Sequence, residues 1–86
     1  MAAKPTLTLQ QLLAAFWNAP NDALLSREIT AAAIGYSVSW LEARATKGGG
    51  PRMVKIVRRV MYRKGDTLEW LKENSREVEH TSQLAA

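Results

Sequence analysis

The sequence predicts an α+β domain that is mainly α-helical, with four helices and one two-stranded β-hairpin. Two observations predict this class. Apolar residues recur at helical spacing before and after the segment 53–62, whereas that segment has the alternation expected of paired strands. In addition, the run Gly48-Gly49-Gly50-Pro51 separates the helical segment before it from the strand-like segment 53–62, because this run cannot continue a helix. The length of 86 residues supports one domain with one small core.

The first helix is predicted over about Leu9 to Trp17. Thr8 and Gln11 have the spacing of a capping box, in which each side chain bonds the backbone N–H of the other residue. Apolar residues follow at helical spacing, at Leu9, Leu12, Leu13 and Phe16. We expect this helix to cover the core of the domain. The alternative is that Leu12, Phe16 and Trp17 are offered to a partner.

A helix-turn-helix is predicted next. Ser26 is expected to cap a helix over 27–34, and Gly35 ends it, because glycine accepts the left-handed conformation that often follows a helix. Ser37 then caps a second helix, and the Gly-Tyr-Ser junction has helix-turn-helix spacing. Leu24-Leu25, just before this unit, forms either a small strand or a staple.

The segment after the glycine run predicts a two-stranded hairpin with Val57-Arg58-Arg59 near its tip. Lys55 is expected to face outward. Val60 and Tyr62 continue the alternation, and Tyr62 is expected to belong to the core. A hairpin that follows the second helix of a helix-turn-helix is a wing. The predicted architecture is therefore a winged helix-turn-helix with an added N-terminal helix.

A last helix is predicted from Asp66, which is expected to cap it and to form a capping box with Glu69. Trp70 is expected to be a main residue of the core. From about Ser75 the chain becomes polar and is expected to fray. The predicted organisation is a flexible leader, a single domain and a polar, disordered tail, over 1–7, 8–74 and 75–86.

Positive charge is concentrated in the middle of the chain. Eight of the twelve Lys and Arg residues lie between Arg44 and Lys64, and no Asp or Glu lies between Glu42 and Asp66. A helix and a hairpin that share an unopposed positive field are suited to contact a polyanion. The pattern predicts binding to double-stranded DNA. The alternatives are a solvated basic face and a protein-interaction module that meets an acidic partner.

Several chemistries are excluded or disfavoured by what the sequence lacks. The chain has no cysteine, which excludes disulfides, thiolate zinc sites and cysteine nucleophiles. No nucleophile lies beside a base, and His80 stands alone, so we expect neither an enzyme nor a bound metal, cofactor or small-molecule ligand. No apolar run approaches the ~20 residues of a membrane span and no secretory signal is present, so we expect a cytoplasmic protein that does not bind membranes.

Five short motifs occur in order at compatible spacing. They are I-G-Y-S at 34–37, G-G-P at 49–51, V-K-I at 54–56, R-R-V-x-Y at 58–62 and D-x-x-x-W-L at 66–71. Through them the segment 24–74 resembles the small winged-helix proteins of the AlpA and phage excisionase group, which are relatives of the MerR-type DNA-binding domain.

The resemblance implies that the second helix enters the major groove and that the hairpin touches the adjacent minor groove or phosphates. It implies a phage or prophage excisionase, which bends DNA near an attachment site and promotes integrase-mediated excision together with integrase and neighbouring copies of itself. The alternatives that it leaves open are an AlpA-like transcriptional regulator and the DNA-binding domain of a small terminase subunit.

The chain departs from the family pattern at a few positions. Polar or basic residues are usual where this chain has Val38, Trp40 and Ala43, and tryptophan is common where it has Arg44. We therefore expect Trp40 to replace the missing core aromatic and Arg44 to swing outward. Glycine is common at the hairpin tip, where Val57 stands here.

Twelve residues are predicted to contact DNA. Ser39 and Arg44 are the candidates for base edges, and Val38 or Ala43 for a thymine methyl group. Ser37 caps its helix and is also placed to donate to a phosphate. For Arg58 and Arg59 at the hairpin tip, we expect insertion into a narrow minor groove or clamping of phosphates. The full set is Ser37, Val38, Ser39, Trp40, Ala43, Arg44, Lys47, Arg52, Lys55, Arg58, Arg59 and Arg63.

Overall fold

The structure is a computed structural model and describes residues 7–76. Within this part, the chain forms four α-helices and three β-strands. The helices are α1 (Leu9–Asn18), α2 (Arg27–Ile34), α3 (Val38–Lys47) and α4 (Lys64–Asn74). The strands are β1 (Leu24–Ser26), β2 (Val54–Ile56) and β3 (Arg59–Arg63). The predicted α+β class, mainly helical, is confirmed. Most of the predicted leader and tail lies outside the described residues.

The capping box of α1 is present as predicted. The Gln11 N–H donates to the Thr8 hydroxyl at 3.1 Å, and the Thr8 N–H donates to the Gln11 amide oxygen at 2.9 Å. Leu12 and Phe16 are buried where α1 packs against α2. The core interpretation is therefore confirmed for these two residues, whereas Trp17 remains 54% exposed.

The next two helices begin and end where the local sequence predicts. The Ser26 hydroxyl accepts a hydrogen bond from the Ile29 N–H at 3.2 Å at the start of α2. Gly35 ends α2 in the left-handed conformation, with φ of 80°, which glycine adopts without steric cost. The Ser37 hydroxyl then accepts from the Trp40 N–H at 3.0 Å and so caps α3.

The three strands form one antiparallel sheet in the order β1-β3-β2. The predicted hairpin is β2–β3, in which Lys55 lies opposite Val60. On its other edge, β3 pairs with β1, where Tyr62 lies opposite Leu25. The expected two-stranded wing is therefore part of a three-stranded sheet, and Leu24-Leu25 belongs to a strand.

The register assigns the side chains of the sheet to two faces, because directly opposed residues share a face and successive residues alternate. Tyr62 is 1% exposed, so the face that it shares with Leu25 and Val60 packs against the helices. Lys55 lies on this inner face, opposite Val60, yet remains exposed. Lys55 is therefore exposed to solvent as expected, although it lies on the same face of the sheet as Val60. Its two neighbours in β2 lie on the outer face instead.

The last helix begins earlier than the sequence suggests. α4 starts at Lys64, and its N-cap residue Arg63 makes no side-chain capping bond. Asp66 lies inside the first turn, where Oδ2 is 3.6 Å from Arg63 Nη1. The predicted capping box of Asp66 and Glu69 is therefore wrong. A carboxylate in the first turn still favours the helix, because it faces the positive end of the helix dipole.

The core lies between the sheet and the helices. Its buried cluster consists of Ala31, Leu41 and Tyr62. The partly buried residues that pack against this cluster are Ile34, Trp40 and Val60. Trp40 therefore packs against the core as expected. Trp70 is only half-buried, and its indole N–H donates to the Gly49 carbonyl at 3.2 Å, so its predicted place as a main core residue is wrong.

Candidate nucleic-acid interface

The N-terminus of α3 lies open on the surface. Ser37, Val38 and Ser39 are exposed, and the first turn contains no acidic residue. The start of a helix leaves backbone N–H groups without intrahelical partners, and the helix dipole adds a partial positive charge there. A phosphate oxygen is therefore favoured at this end of α3. The Ser37 hydroxyl is already used by the Trp40 N–H, which supports its capping role.

Trp40 belongs to an aromatic stack beside this end of α3. The Tyr36 ring lies 4.0 Å away at an angle of 12°, and the Trp70 ring lies 5.9 Å away at 60°. Trp40 itself is half-buried, whereas Tyr36 is 50% exposed. Sequence reasoning did not include Tyr36 in the site. Its position directly before the capping serine is the signal that would have found it.

Arg44 is held beneath the glycine loop, which is residues 48–50. Its side chain is half-buried, and its Nε atom is buried without a hydrogen-bond partner in the described structure. The guanidinium carbon lies 5.8 Å from the centroid of the Trp40 ring. A Cβ atom at Gly50 would lie 2.8 Å from the Cβ atom of Arg44, so the loop passes close over this residue. The expectation that Arg44 swings outward is therefore wrong. Ala43, its neighbour on α3, is also half-buried.

The β2–β3 turn carries exposed cations at its tip. Val57 and Arg58 form a two-residue turn between the paired residues Ile56 and Arg59. Such turns favour positive φ angles, for which glycine is the usual residue. Here Val57 adopts a φ of 57° and is 87% exposed. The apolar side chain therefore extends into solvent between two strands, and Arg58 and Arg59 are exposed beside it.

Six of the eight cations between Arg44 and Lys64 are exposed. The exposed cations, as we name them from here on, are Lys47, Arg52, Lys55, Arg58, Arg59 and Arg63. The sheet register assigns three of these cations to opposite faces of the sheet. Lys55 lies on the inner face, against which α3 packs through Leu41, whereas Arg59 and Arg63 lie on the outer face. Arg63 is also the partner of Asp66.

Lys64 does not belong to the surface, although the charge count included it. It is 7% exposed, and its ammonium group donates to the carbonyls of Trp17 at 3.1 Å and Ala19 at 2.7 Å. It also lies 5.6 Å from the ring centroids of both Phe16 and Trp17. Carbonyls at the C-terminal end of a helix lack intrahelical partners and carry partial negative charge. Lys64 therefore closes the end of α1.

Glu42 is the acidic residue of α3, and it lies beside Arg27 of α2. Its Oε2 atom is 3.9 Å from Arg27 Nη1, while Arg27 Nε donates to the Tyr62 hydroxyl at 3.2 Å. The Glu42 side chain is 57% exposed, so this ion pair is weak. It nevertheless offsets part of the negative charge that α3 would present to a polyanion.

In the part of the chain that the structure describes, no group of three or more His, Cys, Asp or Glu side chains is placed to hold a metal ion. Over the same residues, none of the helices has the length and apolar character needed to cross a bilayer. Comparison of the chain with protein-family models, with curated proteins and with solved structures finds no match.

Proposed function

We propose that the protein binds double-stranded DNA as a winged-helix protein, with α3 in the major groove and the β2–β3 hairpin as the wing. One observation carries the proposal. The open N-terminus of α3 belongs to the same small domain as the six exposed cations, and no acidic residue occurs between Glu42 and Asp66. Phosphate contacts from Lys and Arg supply most of the affinity of such proteins, whereas the groove helix supplies sequence preference.

In this proposal, the first turn of α3 reads the bases. The Ser39 hydroxyl donates to or accepts from a base edge, and Val38, which is 38% exposed, contacts a thymine methyl group. The backbone N–H groups of the same turn hold a phosphate. Arg44 acts differently from a base-reading arginine, because it packs between Trp40 and the glycine loop and fixes the position of α3 relative to that loop.

The hairpin supplies phosphate or minor-groove contacts. Lys55 lies on the sheet face nearest to α3, and Arg58 lies in the turn, so these two side chains are the best placed to contact the duplex that α3 enters. Arg59 and Arg63 lie on the far face and add mainly to the long-range attraction. If all six exposed cations contacted phosphates, log K would fall with log salt concentration with a slope of about −5.

Fluorescence anisotropy with a labelled duplex at 50 and 200 mM salt tests the proposal. We expect Lys55→Ala and Arg58→Ala each to weaken binding several-fold and to reduce the salt slope by about 1, because each removes one phosphate contact. Arg59→Ala is expected to have a smaller effect. Lys72→Ala is the matched control, since it removes one exposed charge from the last turn of α4. Absence of binding to any duplex at 50 mM salt would refute the proposal.

We further propose, from the resemblance of the segment 24–74, that the protein is an excisionase. In this role it performs no chemistry: it bends the DNA beside an attachment site and so assists the integrase that cuts and joins it. In an excision assay with the cognate integrase, we expect excision to require the protein and to be lost with the double variant Lys55→Ala/Arg58→Ala. Binding without any stimulation of excision, together with a change in a promoter reporter, would assign the protein to transcription regulation instead.

A further inference from the structure

α1 leaves an apolar stripe outside the core. Leu9, Leu13 and Trp17 are four residues apart, so they follow one another along one side of the helix. Leu9 is 63% and Trp17 54% exposed, while Leu13 is half-buried. We name these three residues the α1 stripe. The core of the domain uses the adjacent pair Leu12 and Phe16 instead. Although the Trp17 ring touches Phe16 and lies near the Lys64 ammonium group, Trp17 and Leu9 keep more than half of their surface exposed.

The segment that carries the α1 stripe has no charged side chain. No Asp, Glu, Lys or Arg occurs in the segment 5–21, although charged residues make up 23% of the chain. A polyanion or an acidic or basic protein would therefore meet no counter-charge on α1 itself, and the nearby Lys64 ammonium group is already bonded to carbonyls. Two copies of the chain each carry a net charge of +4, so they repel each other on average. At α1 they can approach without placing like charges in contact.

The spacing of the α1 stripe is self-complementary. In an antiparallel pair of helices related by a two-fold axis through Leu13, Leu13 meets its own copy and Leu9 meets Trp17 of the second copy, twice. Such a contact is isologous and closes on itself, as in most symmetric dimers. A parallel pair would instead place the two bulky Trp17 side chains against each other. We propose that a second copy of the chain covers the α1 stripe through this antiparallel pairing.

The available area predicts a weak dimer. Leu7, which is 43% exposed, precedes Leu9 by two residues, just before the helix. Together with the α1 stripe it offers roughly 400 Å² of apolar surface per copy, which is below the standard size of a stable interface. We therefore expect the free protein to dimerise at concentrations on the order of 100 µM. If the proposed DNA binding holds, two-fold pairing further predicts target sites arranged as inverted repeats.

Cross-linking tests the pairing without DNA, because the chain has no cysteine. Single-cysteine variants are treated with a short bis-maleimide at 200 µM protein. We expect Leu13→Cys to cross-link to itself, and an equimolar mixture of Leu9→Cys and Trp17→Cys to give the mixed product. Leu9→Cys alone should react at least tenfold less, because in the antiparallel pair its two copies lie about 12 Å apart along the helix axis. Asn18→Cys, on another side of α1, is the control for random collision.

Sedimentation equilibrium of the Leu13→Gln variant gives a second test. The substitution replaces the residue on the proposed axis with an uncharged polar one, and we expect a helical circular dichroism spectrum like that of the parent with a dimer constant weakened at least tenfold. Equal cross-linking of Leu9→Cys, Leu13→Cys and Asn18→Cys would overturn the proposal. A parent protein that remains monomeric up to 500 µM and does not cross-link through Leu13→Cys would overturn it as well. Neither readout depends on binding to DNA.

Discussion

Replacement of Lys64 by methionine tests how much the buried cation that links the start of α4 to the end of α1 contributes to the stability of the domain. The ammonium group donates to the carbonyls of Trp17 and Ala19, at the end of α1, from the first residue of α4. Methionine has a similar length and is apolar, so Lys64→Met removes the donors while keeping most of the packing. The two carbonyls then lose their partners at a site where the Lys64 side chain itself is only 7% exposed.

The expected loss follows from the two hydrogen bonds. A hydrogen bond to a charged group contributes about 1.5–3 kcal/mol, so two of them give a gross loss of about 3–6 kcal/mol. The ammonium group of Lys64 no longer has to be desolvated in the variant, which returns part of that loss. We expect the free energy of unfolding to fall by about 2–3 kcal/mol. For a domain of this size, that corresponds to a decrease in Tm of about 10–20 °C.

Urea and thermal unfolding followed by circular dichroism measure this change. The control is Lys72→Met, which makes the same chemical replacement at an exposed position of α4 and should change stability by less than about 0.5 kcal/mol. Lys64→Met should also bind DNA with the parental salt slope while it remains folded, because Lys64 is not one of the exposed cations. Equal stability of the Lys64 and Lys72 variants would refute the role of Lys64 in closing α1.

Three further substitutions test local features of the fold, each by urea unfolding. Val57→Gly should stabilise the protein by about 0.5 kcal/mol, because a β-branched residue at a φ of 57° is strained; a lower urea midpoint would contradict this. Thr30→Val should stabilise by about 1 kcal/mol, since the Thr30 hydroxyl is buried without a hydrogen-bond partner in the described structure, and a loss of stability would show that the hydroxyl is bonded. Gly50→Ala should destabilise by about 1–3 kcal/mol, because the new Cβ would lie 2.8 Å from the Cβ atom of Arg44; an unchanged midpoint would show that the loop moves freely.

Helix ends determined by adjacent residues could be predicted from the sequence. Thr8 with Gln11, Ser26 and Ser37 each act on a backbone N–H group three residues away, so the interaction is contained in the local sequence. The same holds for Gly35, whose left-handed conformation ends α2. The two-residue turn at Val57-Arg58 was also predictable in position, although not its positive φ angle at a valine.

Features that depend on distant residues could not be predicted. β1 becomes a strand because it pairs with β3, from which α2, α3 and β2 separate it in the chain. The start of α4 at Lys64 depends on the connection between α1 and β1, where the Ala23 carbonyl accepts the Lys64 backbone N–H at 3.0 Å and the Asn21 carbonyl accepts the Gly65 N–H at 2.8 Å. Asp66 has the local properties of a cap, but these long-range bonds accompany a cap at Arg63, three residues earlier.

The positions of the cations show why a charge count overestimates a binding surface. A Lys or Arg side chain is stabilised by any group of negative potential, and the carbonyls at the end of α1 provide such a potential inside the protein. Lys64 is bound there, Arg44 packs on Trp40, and Arg63 lies beside Asp66. Each of these three cations interacts with a group of the protein itself and is therefore less available to a ligand. Eight phosphate contacts would give a salt slope of about −7, whereas the six exposed cations limit it to about −5, and the division of the sheet faces lowers it further. A measured slope near −7 would therefore require two further phosphate contacts, which Arg44 and Lys64 could supply only by leaving the positions that they occupy here.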